Sequence, residues 1–205
     1  MDLLRGMNSI FKALVLVGSV LMSFTAWAAP IPSFVVAPSF GQEKGHLGDL
    51  GIKGYAGTLR VQKFFPTYPI FGLGLDLKYS NLKIDHSGFE VESPRTSAAV
   101  VLPVLIPLDL FGVKLAKLPK GGGPPLYFGY IFHDEVDVNG FSESLEGTGW
   151  KAGLMLPAPG GAIQVEYSHV SFKDTDLGHR ALLGTDLDSE SWTVSYHLPI
   201  PLTHY

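Results

Sequence analysis

From residue 33 onward, apolar and polar side chains exchange places at almost every step. Phe71, Leu73, Leu75, Leu77 and Tyr79 alternate with Gly72, Gly74, Asp76, Lys78 and Ser80. Leu126, Phe128, Tyr130 and Phe132 alternate with Tyr127, Gly129, Ile131, His133 and Glu135. The same rhythm sets Trp150, Ala152, Leu154 and Leu156 against Lys151, Gly153 and Met155, and Ile163, Val165 and Tyr167 against Gln164, Glu166 and Ser168. It returns in Trp192, Val194, Tyr196 and Leu198 against Thr193, Ser195 and His197, and more weakly in Tyr55, Leu59 and Val61 against Ala56, Thr58, Arg60 and Gln62. A period of two places successive side chains on opposite faces of a β-strand. The pattern predicts strands near 33–42, 51–64, 69–82, 95–105, 124–136, 147–157, 161–172 and 189–200. At about 10 to 14 residues each, they exceed the usual length of about five or six and suffice to cross a bilayer at a tilt.

The connections sharpen this reading. Pro66-Thr67-Tyr68-Pro69 and Pro157-Ala158-Pro159-Gly160-Gly161 read as short turns, and 83–94, 137–146 and 173–188 as longer polar loops. Short turns at one end and long loops at the other are the habit of outer-membrane barrels. Residues 106–123, with Lys120-Gly121-Gly122-Gly123 at their end, break the rule, and Leu110, Val113 and Leu115 could add a strand there. In lipid only a closed sheet satisfies every backbone amide. The expected fold is therefore all-β, an eight-stranded antiparallel transmembrane β-barrel. Eight strands leave an interior filled by side chains. Arg60, Asp76, Lys78, Lys151, Glu166, His133 and Glu135 are expected to face inward as a polar network. Phe64, Phe65, Tyr68 and Phe71 at the inner end, and Trp150 and Trp192 near the outer rim, are expected to form two aromatic belts.

The N-terminus changes the picture from barrel to exported precursor. Arg5 and Lys12 precede an uncharged run from Ala13 to Phe24, and Ala26-Trp27-Ala28 offers small residues for cleavage. The run of about 12 residues is short of the roughly 20 that a spanning helix needs. Met7 is an alternative start. Residues 1–28 are expected to be a cleaved signal peptide and 29–205 the outer-membrane barrel domain, so the expected location is the bacterial outer membrane. Ala98 to Val113 is the other apolar stretch, but Pro103, Pro107 and Asp109 interrupt it. Charged residues are only 17% of the chain and the net charge is −4, which gives no reason to expect nucleic acid. There is no cysteine, which removes thiol chemistry, disulfides and lipoprotein attachment. The expected partners are membrane lipids and lipopolysaccharide, with the barrel-assembly machinery during insertion.

Motifs for phosphate, dinucleotide or nucleophile-elbow chemistry are absent, and the histidines show no metal-ligand spacing. No cofactor or metal is expected. Asp174, Asp176, Asp186, Asp188 and Glu190 make an acidic last loop, but without the glycine-turned spacing of a calcium loop. One constellation stands out. His169 and Ser171 share the outward parity of strand seven, and Glu190 that of strand eight, its antiparallel neighbour. Histidine as base, serine as nucleophile and glutamate as orienter suffice for acyl transfer. The alternative is an ordinary strand end with polar rim residues.

His169-Val170-Ser171 and the ending Glu190-Ser191-Trp192-Thr193-Val194-Ser195-Tyr196-His197-Leu198-Pro199-Ile200 resemble the outer-membrane lipid A deacylases. Those are eight-stranded barrels with His-x-Ser on the penultimate strand and Glu on the last. The resemblance covers about the last 45 residues. It implies Ser171 as nucleophile, His169 as base and Glu190 as its partner. Phe172 stands where the family carries asparagine, and the loop from Ser171 to Glu190 is longer. Two functions follow as expectations. One is a small non-catalytic outer-membrane barrel that supports the envelope or presents loops to a partner. The other is a lipid A deacylase.

Overall fold

The computed structural model describes residues 32–65, 70–86, 89–105, 125–138, 144–173 and 187–204. The expected signal peptide and the 106–123 connection lie outside the described residues. The elements are β1 (Pro32–Leu47), β2 (Leu50–Phe64), β3 (Ile70–His86), β4 (Phe89–Leu105), β5 (Pro125–Val136), β6 (Leu145–Ala158), β7 (Gly161–Lys173), β8 (Asp188–His197) and β9 (Ile200–His204). Every neighbour pair from β1 to β8 is antiparallel, and β8 returns to β1. The sheet is thus a closed eight-stranded barrel. β9 continues the last strand along β1 after Pro199, which has no N–H to give to a ladder. Both chain ends of the barrel lie at one end, called inner here. The β1–β2, β3–β4, β5–β6 and β7–β8 connections mark the outer rim.

Several expected boundaries move. The first strand runs to Leu47 and turns on Gly48-Asp49, with Gly48 at φ 56°, a backbone conformation that glycine adopts without penalty. The expected loop 83–94 is mostly strand: β3 and β4 pair as far as His86 and Phe89. Connection lengths therefore do not alternate between short and long. At the inner end Pro159-Gly160 closes β6 onto β7, with Gly160 at φ 73°, as a turn needing a positive φ at its third position requires.

The reason for these extensions is an inversion of polarity along single strands. In β3 the outward row reads Phe71, Leu73, Leu75, Leu77, Tyr79 and then Asn81, Lys83, Asp85. The inward row reads Gly72, Gly74, Asp76, Lys78, Ser80 and then Leu82, Ile84. The geometric parity never changes; the chemistry of each face does. The outer mouth accordingly holds the main apolar core, which includes Leu47, Ile52, Leu82, Ile84, Leu145, Val170 and Phe172. Around the middle of the barrel the apolar row faces out, with Phe40, Leu73, Leu77, Phe128, Trp192 and Val194 among the exposed side chains.

β5 carries the largest correction. Ala98 pairs with His133 while Ala99 pairs with Ile131, so Phe132 is an extra residue. This β-bulge turns both Phe132 and His133 outward. His133 and Glu135, expected in the lumen, lie at the surface, and Asp134 points inward in their place. Phe64 also departs from the expected inner belt: it is buried with Val35, Ala37 and Leu105. Phe65 and Phe71 do pack, with ring centroids 5.3 Å apart.

Candidate functional site

The lumen and the outer rim both concentrate ionisable groups, and geometry separates their roles. Arg60 on β2 grips Asp76 on β3 with two hydrogen bonds, Nε to Oδ1 at 2.7 Å and Nη2 to Oδ2 at 2.6 Å. Lys151 from the opposite wall donates to Asp76 Oδ2 at 2.6 Å and lies 3.3 Å from Glu166. Tyr127 donates to Glu166 at 2.7 Å, and its ring lies under the Arg60 guanidinium at 4.0 Å. Gly153 makes room for that ring: a Cβ there would sit 2.2 Å from the Tyr127 hydroxyl oxygen. A second knot forms around Glu43, which accepts from Ser80 and Ser191, each at 2.7 Å, and pairs with Lys78 at 2.9 Å and Arg95 at 3.3 Å. Arg95 also donates to Asp134 at 2.8 Å.

Arg60, Lys78, Arg95 and Lys151 are thus matched by Glu43, Asp76, Asp134 and Glu166. All eight are buried. Buried charges persist where they are paired and hydrogen-bonded, and here the network fills the lumen. Sequence reasoning missed Glu43, Arg95 and Asp134. Glu43 lay in a stretch read as a connection, Arg95 at the edge of a strand, and Asp134 behind the bulge.

At the rim, β7 and β8 pair so that His169 stands directly opposite Glu190, and Ser171 opposite Asp188. His169 Nδ1 lies 3.6 Å from Glu190 Oε1, and Nε2 lies 3.9 Å from Asp188 Oδ2. The imidazole therefore presents one nitrogen to Glu190 and the other toward the Ser171 end of the strand. His169 is 26% exposed and Glu190 59%. The structure brings His169 and Glu190 together; no hydrogen bond joins the Ser171 hydroxyl to His169, although both face outward on one strand. Distances of this size are common in unliganded sites and tighten on binding substrate. Phe172 points into the lumen, its ring 6.0 Å from the Arg95 guanidinium, and its N–H donates to Leu187 O at 3.0 Å. It offers no donor to the outer face. Lys173, next in the outward row after Ser171, is an exposed cation that sequence reasoning passed over.

Aromatic rings line the underside of this cluster. Phe128, Trp150, Tyr167 and Trp192 form a continuous row across β5 to β8, with successive centroids 6.0, 5.3 and 5.1 Å apart. Trp150 also approaches the His169 ring at 6.1 Å. His169, Ser171, Asp188 and Glu190 thus stand directly above the aromatic row, where the outward face changes from apolar to polar. Beside Glu190 an open groove of about 410 Å³ continues across β8, β1, β2 and β3. Asp188 had a signal in the sequence, its one-step relation to Ser171 across the ladder, but it was read as part of the acidic loop. Asp174, Asp176 and Asp186 of that loop lie outside the described residues. Among the described residues no group of three or more metal-ligating side chains converges.

No family model matches the chain, and no curated protein does. Among solved structures it is similar to Neisserial surface protein A, at 12% identity and a TM-score of 0.49, over 83% of this chain and 97% of that one.

Proposed function

We propose that the chain is a small bacterial outer-membrane barrel that conducts nothing through its lumen and acts through its outer surface. The observation that carries this reading is the reversed polarity of the wall. An apolar band with an aromatic row faces out, around a lumen packed with paired charges. Hydrocarbon is the solvent that such a band suits, and the row suits its interface with water. The band ends where Asn81, Lys83 and Asp85 replace leucine and tyrosine, which sets the height of the interface. Insertion by the barrel-assembly machinery and contact with lipopolysaccharide belong to the same proposal. The test is heat-modifiable gel mobility together with single-channel recording in planar bilayers. The expected result is a mobility shift on boiling and no conductance steps. A protein that stays dispersed without detergent, or one that conducts, would overturn it.

The pairing of His169 with Glu190 favours a second reading, hydrolysis of an ester-linked acyl chain of lipid A. Ser171 Oγ would attack the ester carbonyl carbon as its proton passes to His169 Nε2. The tetrahedral oxyanion would then collapse, expelling the sugar-side or hydroxyacyl oxygen, which takes that proton. Water, deprotonated by His169, would release the fatty acid from Ser171 and restore the hydroxyl. Glu190 orients the imidazole and stabilises its cation. Lys173 is the exposed donor available to the oxyanion in place of the asparagine that Phe172 replaces. Mass spectrometry of lipid A from cells with and without the protein tests this reading. Loss of one ester-linked chain is expected, and Ser171→Ala is expected to slow it by roughly a thousandfold or more. Unchanged lipid A beside well-folded protein would retire the hydrolase and leave the barrel reading intact.

A further inference from the structure

The nitrogen that hydrolysis needs bare is the one that faces a carboxylate. In that reaction His169 Nε2 takes the proton of Ser171. Asp188 Oδ2 lies 3.9 Å from Nε2, while Glu190 Oε1 lies 3.6 Å from Nδ1. A carboxylate only accepts hydrogen bonds, so each of the two favours a hydrogen on the nitrogen it faces. A neutral imidazole has one such hydrogen and one bare nitrogen. The ring can serve both carboxylates only with a hydrogen on each nitrogen, and it then has no lone pair with which to act as a base. Glu190 is not the obstacle, because a hydrogen on Nδ1 is the one that a base of this kind keeps.

The backbone sets Asp188 in this place. It stands directly opposite Ser171 in the β7–β8 ladder. Its carbonyl accepts from the Gly48 N–H at 2.8 Å, and the Leu187 carbonyl before it accepts from the Phe172 N–H at 3.0 Å. The start of β8 is thereby tied to the β1–β2 turn on one side and to β7 on the other. The side chain is 49% exposed, so it can turn away into water while the backbone stays. Side chains opposite each other on one face have Cβ atoms about 4.5–5.5 Å apart. A group that bonds to Ser171 Oγ therefore shares its space with the Asp188 carboxylate.

We propose that Asp188 is a positioning residue that restrains the rim site: its carboxylate keeps His169 Nε2 from Ser171 until an acyl ester entering above the aromatic row displaces it. The proposal rests on the hydrolase reading and supplies that site with its regulation. Removing the carboxylate leaves Nδ1–H on Glu190 and Nε2 bare toward Ser171, so the variant is faster than the wild type. A residue that only supported the strand end would act in the opposite direction.

Two measurements on the folded barrel in detergent micelles, at one fixed pH, test the restraint. The first is the rate at which an alkyl fluorophosphonate labels Ser171, read by mass spectrometry. Ser171 Oγ bonds to phosphorus, fluoride leaves, and the serine proton passes to His169 Nε2. Asp188→Ala and, independently, Asp188→Val are each expected to label faster by about fivefold, the most that an ion pair this exposed is worth. Asp188→Glu, which keeps a carboxylate at the ring, is expected to label slowly, and Ser171→Ala not at all. The second is the nitrogen-15 spectrum of the His169 ring. A hydrogen on both nitrogens is expected in the wild type, and on Nδ1 alone in Asp188→Ala. If Asp188→Ala and Asp188→Val leave either readout unchanged, the restraint is overturned and the hydrolase reading stands. If Ser171 stays unlabelled in the wild type and in both variants, the hydrolase reading fails and takes the restraint with it.

Discussion

The lumen and the rim use the same residue types to opposite ends. In the lumen Glu43, Asp76 and Glu166 each touch two or more donors or cations, and burial leaves them no other partner. At the rim His169 meets two carboxylates at 3.6 and 3.9 Å, and Lys44 meets none among the described residues. The difference teaches where function can reside. A buried network of paired charges resists change, because losing a member leaves a buried charge short of its partner. An exposed cluster with open coordination can accept a ligand at little cost to the fold.

That contrast can be broken most decisively at Asp76. Asp76→Ala removes the carboxylate that Arg60 and Lys151 share and leaves both to Glu166, and a loss of about 3–5 kcal/mol in unfolding free energy is expected from urea titrations in lipid vesicles. A loss below about 1 kcal/mol would mean that water reaches the lumen and that the network is no plug. Tyr127→Phe removes only the hydroxyl that donates to Glu166. Its expected cost, by the same titration, is about 1.5–3 kcal/mol. At the rim the sign of the comparison reverses. Glu190→Gln is expected to shift unfolding by no more than about 0.5 kcal/mol, while any acyl-chain release by the protein falls sharply. A large destabilisation there would show that the rim too is structural.

The smallest effect is reserved for Glu90, at the tip of the β3–β4 hairpin. Hydrogen bonds and charge from Lys53 and Lys83 hold its carboxyl down at about 2. A depressed acid favours the fold above its ordinary value near 4.5 and loses that contribution as pH falls toward 2. A carboxyl resonance of Glu90 followed by NMR should therefore titrate below its ordinary value, moving back toward 4.5 in Lys53→Ala or Lys83→Ala. The melting temperature at neutral pH should hardly respond, since exposed ion pairs contribute little.

Much of the wall was legible in the sequence because its signal is local. The inward placement of Arg60, Asp76, Lys78, Lys151 and Glu166 follows from counting by two along their own strands. So does the shared outward face of His169, Ser171 and Glu190. His133 and Glu135 failed by the same arithmetic, since one inserted residue at Phe132 shifts every later position to the other face. Nothing in Tyr130-Ile131-Phe132-His133 announces a bulge. The loop expected at 83–94 failed for another reason. Lys83, Asp85, Glu90 and Glu92 read as loop residues only if a strand's outward face must stay apolar, and above the apolar band it does not.

By itself the chain determined a sheet of long strands, which residues share a face within each unbroken stretch, and that one strand-end cluster combines histidine, serine and glutamate. Those properties depend on neighbours two positions apart. Tertiary structure alone decided which cation meets which carboxylate across the lumen, that Asp134 replaces His133 inside, and that Asp188 faces His169 Nε2. Those depend on the stagger between strands far apart in sequence, which packing and hydrogen bonding fix only when the barrel closes.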